Sequence, residues 1–143
     1  MLSNSSKYAI KAVLFIAVNS KRGKKVMVKD IANPINVPKP YIAKLLQKLV
    51  KEKIISSTRG PRGGFYLNNE NFKVSIMKII HAIDGEKTLK SCMLSLDTCN
   101  EEKPCPLHNI LSISRDNILK HLNQKTIEDL SNDINLGQSF LPL

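Results

Sequence analysis

The chain has 143 residues, 42% of them hydrophobic and 24% charged, with a formal net charge of +10. This length and apolar content support one globular core with room for an appended helix, and argue against general disorder. The longest apolar run, Ala12 to Val18, falls far short of the ~20 residues that cross a bilayer.

The basic charge is unevenly placed. Residues 1–66 hold 14 Lys and Arg against 2 acids, whereas residues 67–143 hold 8 against 10. That asymmetry fits a polyanion-binding module joined to a segment with a different task. Double-stranded DNA is favoured over a membrane surface, because no basic amphipathic helix exposes bulky aromatics. No Ala-x-Ala cleavage pattern follows the apolar run, and the basic Lys21-Arg22-Gly23-Lys24-Lys25 suits a helix end and loop. A cytoplasmic protein is therefore expected.

From the N-terminus, Ser5 to Ser20 reads as a helix with only Lys7 and Lys11 interrupting its apolar surface before Asn19. Such a helix belongs in a core, partly against a second subunit. Val26-Met27-Val28 is a short extended or turn segment, and Lys29 to Ala32 starts a second helix that Pro34 should end within about a turn. Asn36 to Pro40 forms a turn, with Pro40 tolerable in the first turn of the next helix. In Tyr41 to Lys51, Ile42, Leu45, Leu46 and Leu49 recur at i, i+3, i+4 and i+7, while Tyr41, Lys44, Lys48 and Lys51 form an outward stripe. Ile54 to Thr58 is strand-like, Arg59-Gly60-Pro61-Arg62-Gly63-Gly64 supplies a turn, and Phe65 to Leu67 returns. The fold expected is mainly α with a small β-wing: a winged helix-turn-helix with a long C-terminal dimerisation helix.

A lysine stripe is commonly a solvated helix face, and an arginine in a turn is commonly just soluble. Here, however, the helix and hairpin carry five cations, and Glu52 is the only acid between Val37 and Leu67. Ordinary solvated faces mix both signs. The candidate DNA contacts are Lys39, Tyr41, Lys44, Lys48, Arg59 and Arg62. Gly60 to Gly64 is no phosphate loop, since no Gly-Lys-Ser/Thr follows it and it leads into a strand.

Val74 to Ile83 reads as another helix, with Asp84-Gly85 as its exit and Gly85 free to adopt a left-handed cap. Glu86 to Pro106 lacks periodicity, a loop of about twenty residues of the kind that is usually functional or disordered. Leu107, Ile110, Leu111, Ile118 and Leu122 then share one side of a long helix, flanked by Ile113 and Leu119. That helix is the candidate dimerisation element. Thr126 to Leu130 opens a short helix, and the tail from Asn132 has no clear pattern. The organisation expected is residues 1–85 as the DNA-binding domain, 86–106 as a cysteine loop, and 107–143 as the dimerisation segment.

All three cysteines fall in that loop: Cys92, Cys99 and Cys105, spaced x6 and x5, with His108 three residues beyond the last. The paired Cys-x2-4-Cys knuckles of zinc modules are missing, as are the tight Cys-x2-Cys runs of bacterial ferredoxins. Thiolates suit zinc, copper(I) or iron-sulfur clusters, and a wide loop wraps a cluster more readily than a compact zinc ion. His108, in the first turn of the long helix, can face back towards Cys105. Three incidental free thiols are the bland alternative. A catalytic Cys105–His108 pair is disfavoured, because no orienting third group or oxyanion element accompanies it, and no enzyme is expected. His81 and His121 suit structural or solvated roles.

Ser6-Lys7-Tyr8-Ala9, Tyr41 to Leu49, Arg59-Gly60-Pro61-Arg62-Gly63-Gly64-Phe65, Ala82-Ile83-Asp84-Gly85, the cysteine loop and Thr126 to Leu130 together resemble the Rrf-two type of bacterial winged helix-turn-helix regulators. The resemblance spans nearly the whole chain, and the wing and cysteine loop are its specific parts. It implies a homodimeric, DNA-binding repressor or activator with crossed long helices and an iron-sulfur cluster held by Cys92, Cys99 and Cys105. His108 stands where a histidine completes a 2Fe-2S site in the cluster-assembly regulators, so 2Fe-2S is favoured over 4Fe-4S. Nitric-oxide sensors of the family can instead use an N-terminal aspartate with a 4Fe-4S cluster, but the matching region here reads Ser5-Ser6-Lys7-Tyr8. Asp97, Glu101 and Glu102 are alternative fourth ligands. Pro34 and Pro38-Lys39-Pro40 depart from the family's usual serine-containing turn. The readings set beside this one are a cluster-free regulator working through a protein or small-molecule partner, and a redox protein whose basic face docks an acidic partner.

Overall fold

The computed structural model describes residues 2–20, 23–92, 94 and 99–143. Helix α1 (Asn4–Asn19) starts at Ser3, whose side chain accepts the Ser6 N–H at 3.0 Å. This cap supplies one of the acceptors that first-turn amides lack within the helix. Ala9, Ala12, Val13, Leu14, Ile16 and Ala17 are buried, and α1 is the central strut against which later helices pack. Basic Lys21-Arg22 lies outside the described residues.

Helix α2 (Val28–Ile35) is short and ends one residue past Pro34, within the turn that the sequence allows it. The proline removes only a bond of the last turn, while burial of Ile31, Ala32 and Ile35 holds the helix together. Asn36 then takes the left-handed conformation at φ 57° and ψ 51°, and Val37 N–H closes onto the Ala32 carbonyl at 3.2 Å. Pro38 and Pro40 flank the entry to α3 (Lys39–Lys51), where neither removes a needed helical donor. Ile42, Leu46 and Leu49 are fully buried on the apolar stripe. Truncating one of them to alanine costs about 2–5 kcal/mol.

Strands β1 (Ser56–Thr58) and β2 (Gly64–Tyr66) pair antiparallel, with Ser56 opposite Tyr66 and Thr58 opposite Gly64. Val26 adds a third rung: its N–H and carbonyl each bond Phe65 at 2.8 Å. This explains Gly64, which has φ 145° and whose missing Cβ would press within 2.8 Å of the Val26 carbonyl. The expected helix-turn-helix and wing are thus present, with the Val26 segment a part of the sheet.

A one-turn helix, α4 (Asn69–Phe72), was not expected from the sequence. Buried Asn71 anchors it by accepting from Ser56 Oγ at 2.8 Å and donating to the Lys53 carbonyl at 3.1 Å. Helix α5 (Ile76–Asp84) buries Ile76, Met77, Ile79 and Ile80 and ends at Gly85. With φ 88° and ψ 167°, Gly85 has the positive φ that favours glycine but not the left-handed helical cap expected.

From Gly85 to Leu107 the described residues contain turns and bends but no helix or strand. Helix α6 (His108–Gln124) follows and packs on α5 without burying any residue fully. Leu107, Leu111, Ile118, Leu119 and Leu122 are half-buried, whereas Ile110 and Ile113 are 68% and 70% exposed. Ile110 therefore sides with Ile113, not with Leu111 as the sequence suggests. Helix α7 (Ile127–Asn135) opens with a reciprocal Thr126–Asp129 capping box and runs into the tail from Asn132, where no pattern was expected. Ile127 is fully buried and α7 packs on α1, so the chain after α6 returns to the core of the winged body. Among the described residues no helix is long and apolar enough to cross a membrane.

Candidate nucleic-acid interface and cysteine site

Lys39, Tyr41, Lys44 and Lys48 are exposed on α3, and Arg59 and Arg62 are exposed on the wing turn. Two of these side chains are already engaged. Tyr41 Oη lies 2.8 Å from Ser5 Oγ and its ring meets Tyr8 edge-on at 6.0 Å, while Lys48 Nζ donates to the Ile83 carbonyl at 3.0 Å. Lys39, Lys44, Arg59 and Arg62 are exposed without such an engagement among the described residues. Sequence reasoning passed over two neighbours. Gln47 lines the crevice between α3 and the wing with Arg59, and its amide can pair bidentately with adenine. Lys25 lies 5.8 Å from the Tyr66 ring and shares a crevice with Arg62.

Behind this face, Asp84 joins three segments. Its carboxylate accepts from Ser3 Oγ at 2.6 Å and Ser6 Oγ at 2.7 Å, and its carbonyl accepts from Thr88 Oγ1 at 2.7 Å. Burial pushes the Asp84 pKa up, but the Ser3 and Ser6 hydrogen bonds, with Lys48 nearby, outweigh it and hold the group below its ordinary value.

Cys92, Cys99, Cys105 and His108 line one cavity of about 280 Å³ between the loop and α6, with Leu89, Leu111, Ile118, Leu119 and Arg115 among its other walls. They meet as two pairs. Cys92 Sγ lies 3.6 Å from Cys105 Sγ, and Cys99 Sγ lies 3.0 Å from His108 Nδ1. His108 thus faces Cys99, not Cys105 as the spacing suggests; its tie to Cys105 is through the backbone, His108 N–H to the Cys105 carbonyl at 2.9 Å. Arg115 lines the same cavity, and its interaction with Cys99 raises its pKa despite partial burial.

Metal–sulfur bonds of about 2.3 Å in a tetrahedron place two thiolates on one metal about 3.7 Å apart. The Cys92–Cys105 separation meets that requirement. Among the described residues no group of three or more His, Cys, Asp or Glu is arranged for one ion. Three thiols and an imidazole around one cavity are donors of the kind that zinc or an iron-sulfur cluster takes. Glu101 and Glu102 are exposed and are not among the described lining residues, and Asp97 lies outside the described residues. His81 is half-buried and His121 exposed, both away from the cavity lining.

The Rrf2 family profile, described as "Iron-dependent Transcriptional regulator", matches residues 2–133. An HTH-type transcriptional regulator of Aquifex aeolicus is 32% identical over 134 residues, covering 92% of both chains. The HTH-type transcriptional regulator IscR of Pectobacterium atrosepticum is 27% identical over 132 residues, covering 92% of this chain and 79% of its own. Among solved structures, CymR, the global cysteine regulator of B. subtilis, superposes with a TM-score of 0.73 at 22% identity over 92% of this chain and 96% of that one. That likeness carries the fold, and the family match carries the class of activity. With helix, turn, helix and wing in place under a match that runs almost end to end, the chain belongs to the Rrf2 family of DNA-binding transcription regulators and is not an enzyme.

Proposed function

We propose that this regulator is a homodimer that senses iron-sulfur cluster status, redox state or nitric oxide through a cluster held by Cys92, Cys99, Cys105 and His108, with 2Fe-2S favoured over 4Fe-4S. The observation that carries the reading is the convergence of three thiols and an imidazole, as two pairs, on one cavity at the start of α6. When bound, the cluster supplies redox chemistry; the thiols and imidazole hold it, and Leu89, Leu111, Ile118 and Leu119 limit the access of water. The DNA-binding unit is residues 1–85, the sensing loop 86–106 and the dimerisation segment 107–143.

The loop is connected to the DNA face by short hydrogen bonds. Thr88 holds the Asp84 carbonyl, the Asp84 carboxylate holds Ser3 and Ser6 of the α1 start, and Lys48 of α3 holds Ile83. A change in the loop that moves Thr88 is transmitted to α1 and α3 together. Lys39, Lys44, Arg59 and Arg62 then meet DNA, and release of Tyr41 and Lys48 from Ser5 and Ile83 adds to their number. The protein would work within the cytoplasm.

Anaerobic purification followed by iron and sulfide analysis tests the assignment. Iron and acid-labile sulfide in equal amounts are expected in the wild type, lost in Cys92→Ala, Cys99→Ala and Cys105→Ala and labile or lost in His108→Ala. Stoichiometric zinc without sulfide, or no metal, would instead leave the cluster-free regulator.

A further inference from the structure

Arg115 follows His108 on the same face of α6, about two turns on, and so reaches the same cavity. Its side chain is 24% exposed, and its one ion-pair neighbour among the described residues, Asp116, is 3.8 Å away and itself 71% exposed. The described cavity lining contains no carboxylate. A guanidinium drawn into a mostly enclosed site needs an anionic or strongly accepting partner. Cys99 lines the same cavity, with His108 Nδ1 3.0 Å from its sulfur, and interaction with Cys99 is what raises the Arg115 pKa.

We propose that Arg115 is a positioning residue of the sensor site: from two turns along α6 it lines the cavity with Cys99 and, as a permanent cation, raises the reduction potential of the cluster held there. The inference rests on the cluster reading above and deepens it. Hydrogen bonds to ligand sulfurs and nearby charge are among the levers that set cluster potentials. Reduction adds one electron to the site, and a fixed positive charge stabilises the more negative state. Arginine is suited to this because it stays protonated throughout the working pH range. The side chain thereby sets how readily the sensor is oxidised.

Full-length wild type, Arg115→Gln and Arg115→Lys, all purified and kept anaerobic, are analysed for iron and sulfide. Each is then titrated with a chemical reductant in the presence of redox mediators, following cluster absorbance. Equal cluster content is expected, with an about tenfold smaller equilibrium constant for one-electron reduction in Arg115→Gln, a shift of about 59 mV. Arg115→Lys should recover most of that shift, since it keeps the charge. Cluster-loaded Arg115→Gln with the wild-type potential would overturn the inference and leave the sensor assignment standing. Wild type without iron and sulfide would overturn the sensor assignment and the inference with it. If Arg115→Gln holds no cluster, Arg115→Lys decides: a cluster of near wild-type potential supports the role of the charge, and loss in both variants shows that Arg115 builds the site instead of tuning it.

Discussion

Asp84 carries more connections than its place at a helix exit suggests. Its carboxylate is bonded by Ser3 and Ser6, and its lowered pKa has a defined pH consequence. A carboxylate whose folded pKa lies below its unfolded value contributes stability that is fully present above the ordinary carboxylate range and lost as pH falls through the folded value. Asp129, lowered by the Thr126 backbone and side-chain hydrogen bonds, acts in the same direction. Asp84→Asn should therefore lower Tm at pH 7, and the gap to wild type should close as pH falls below the ordinary carboxylate range and through the lowered folded value. Thermal melts across pH test this; a constant gap would mean that the charge is not what holds the junction. At this scale, residue types were legible and partners were not. The cysteines and His108 stood out by composition, but the aperiodic loop gave no means of telling that His108 would meet Cys99. Arg115 carries no motif that would single it out in the sequence, and only its place in the cavity lining does so.

Helix α6 shows what periodicity can and cannot assign. Its apolar residues were legible, yet they divide between two sides: Leu111, Ile118 and Leu119 line the cysteine cavity, while Ile110 and Ile113 face solvent. The latter two are thus the better test of the dimer. Ile110→Asp combined with Ile113→Asp should cost the isolated subunit little, because exposed substitutions usually change stability within about 0.5 kcal/mol. In a two-fold interface the same carboxylates would be desolvated and unpaired. Sedimentation should show a monomer with unchanged helical content, and a persistent dimer would place the interface on another surface. By contrast, α3 was legible because one stripe is apolar and the other basic. The α4 turn was not legible, and of Val26 the extended segment was but its pairing was not, since elements of a few residues carry little pattern and depend on Asn71 and Phe65 for their partners.

Across the whole molecule, the basic first half holds the helix-turn-helix and wing and the near-neutral second half holds the loop and α6, although α7 returns to pack on α1. The two regions meet at Asp84, which makes control of DNA binding by the cysteine site the central claim. The direct measurement is anaerobic titration of a DNA fragment selected from genomic fragments by the protein, across a range of salt concentrations, before and after cluster removal with a chelator. In the binding state, log affinity should fall with log salt by about 0.9 for each phosphate neutralised. Affinity should also differ at least tenfold between the two states in wild type, and Cys99→Ala should give one value throughout. Equal affinity and equal salt slope with and without the cluster would contradict the account.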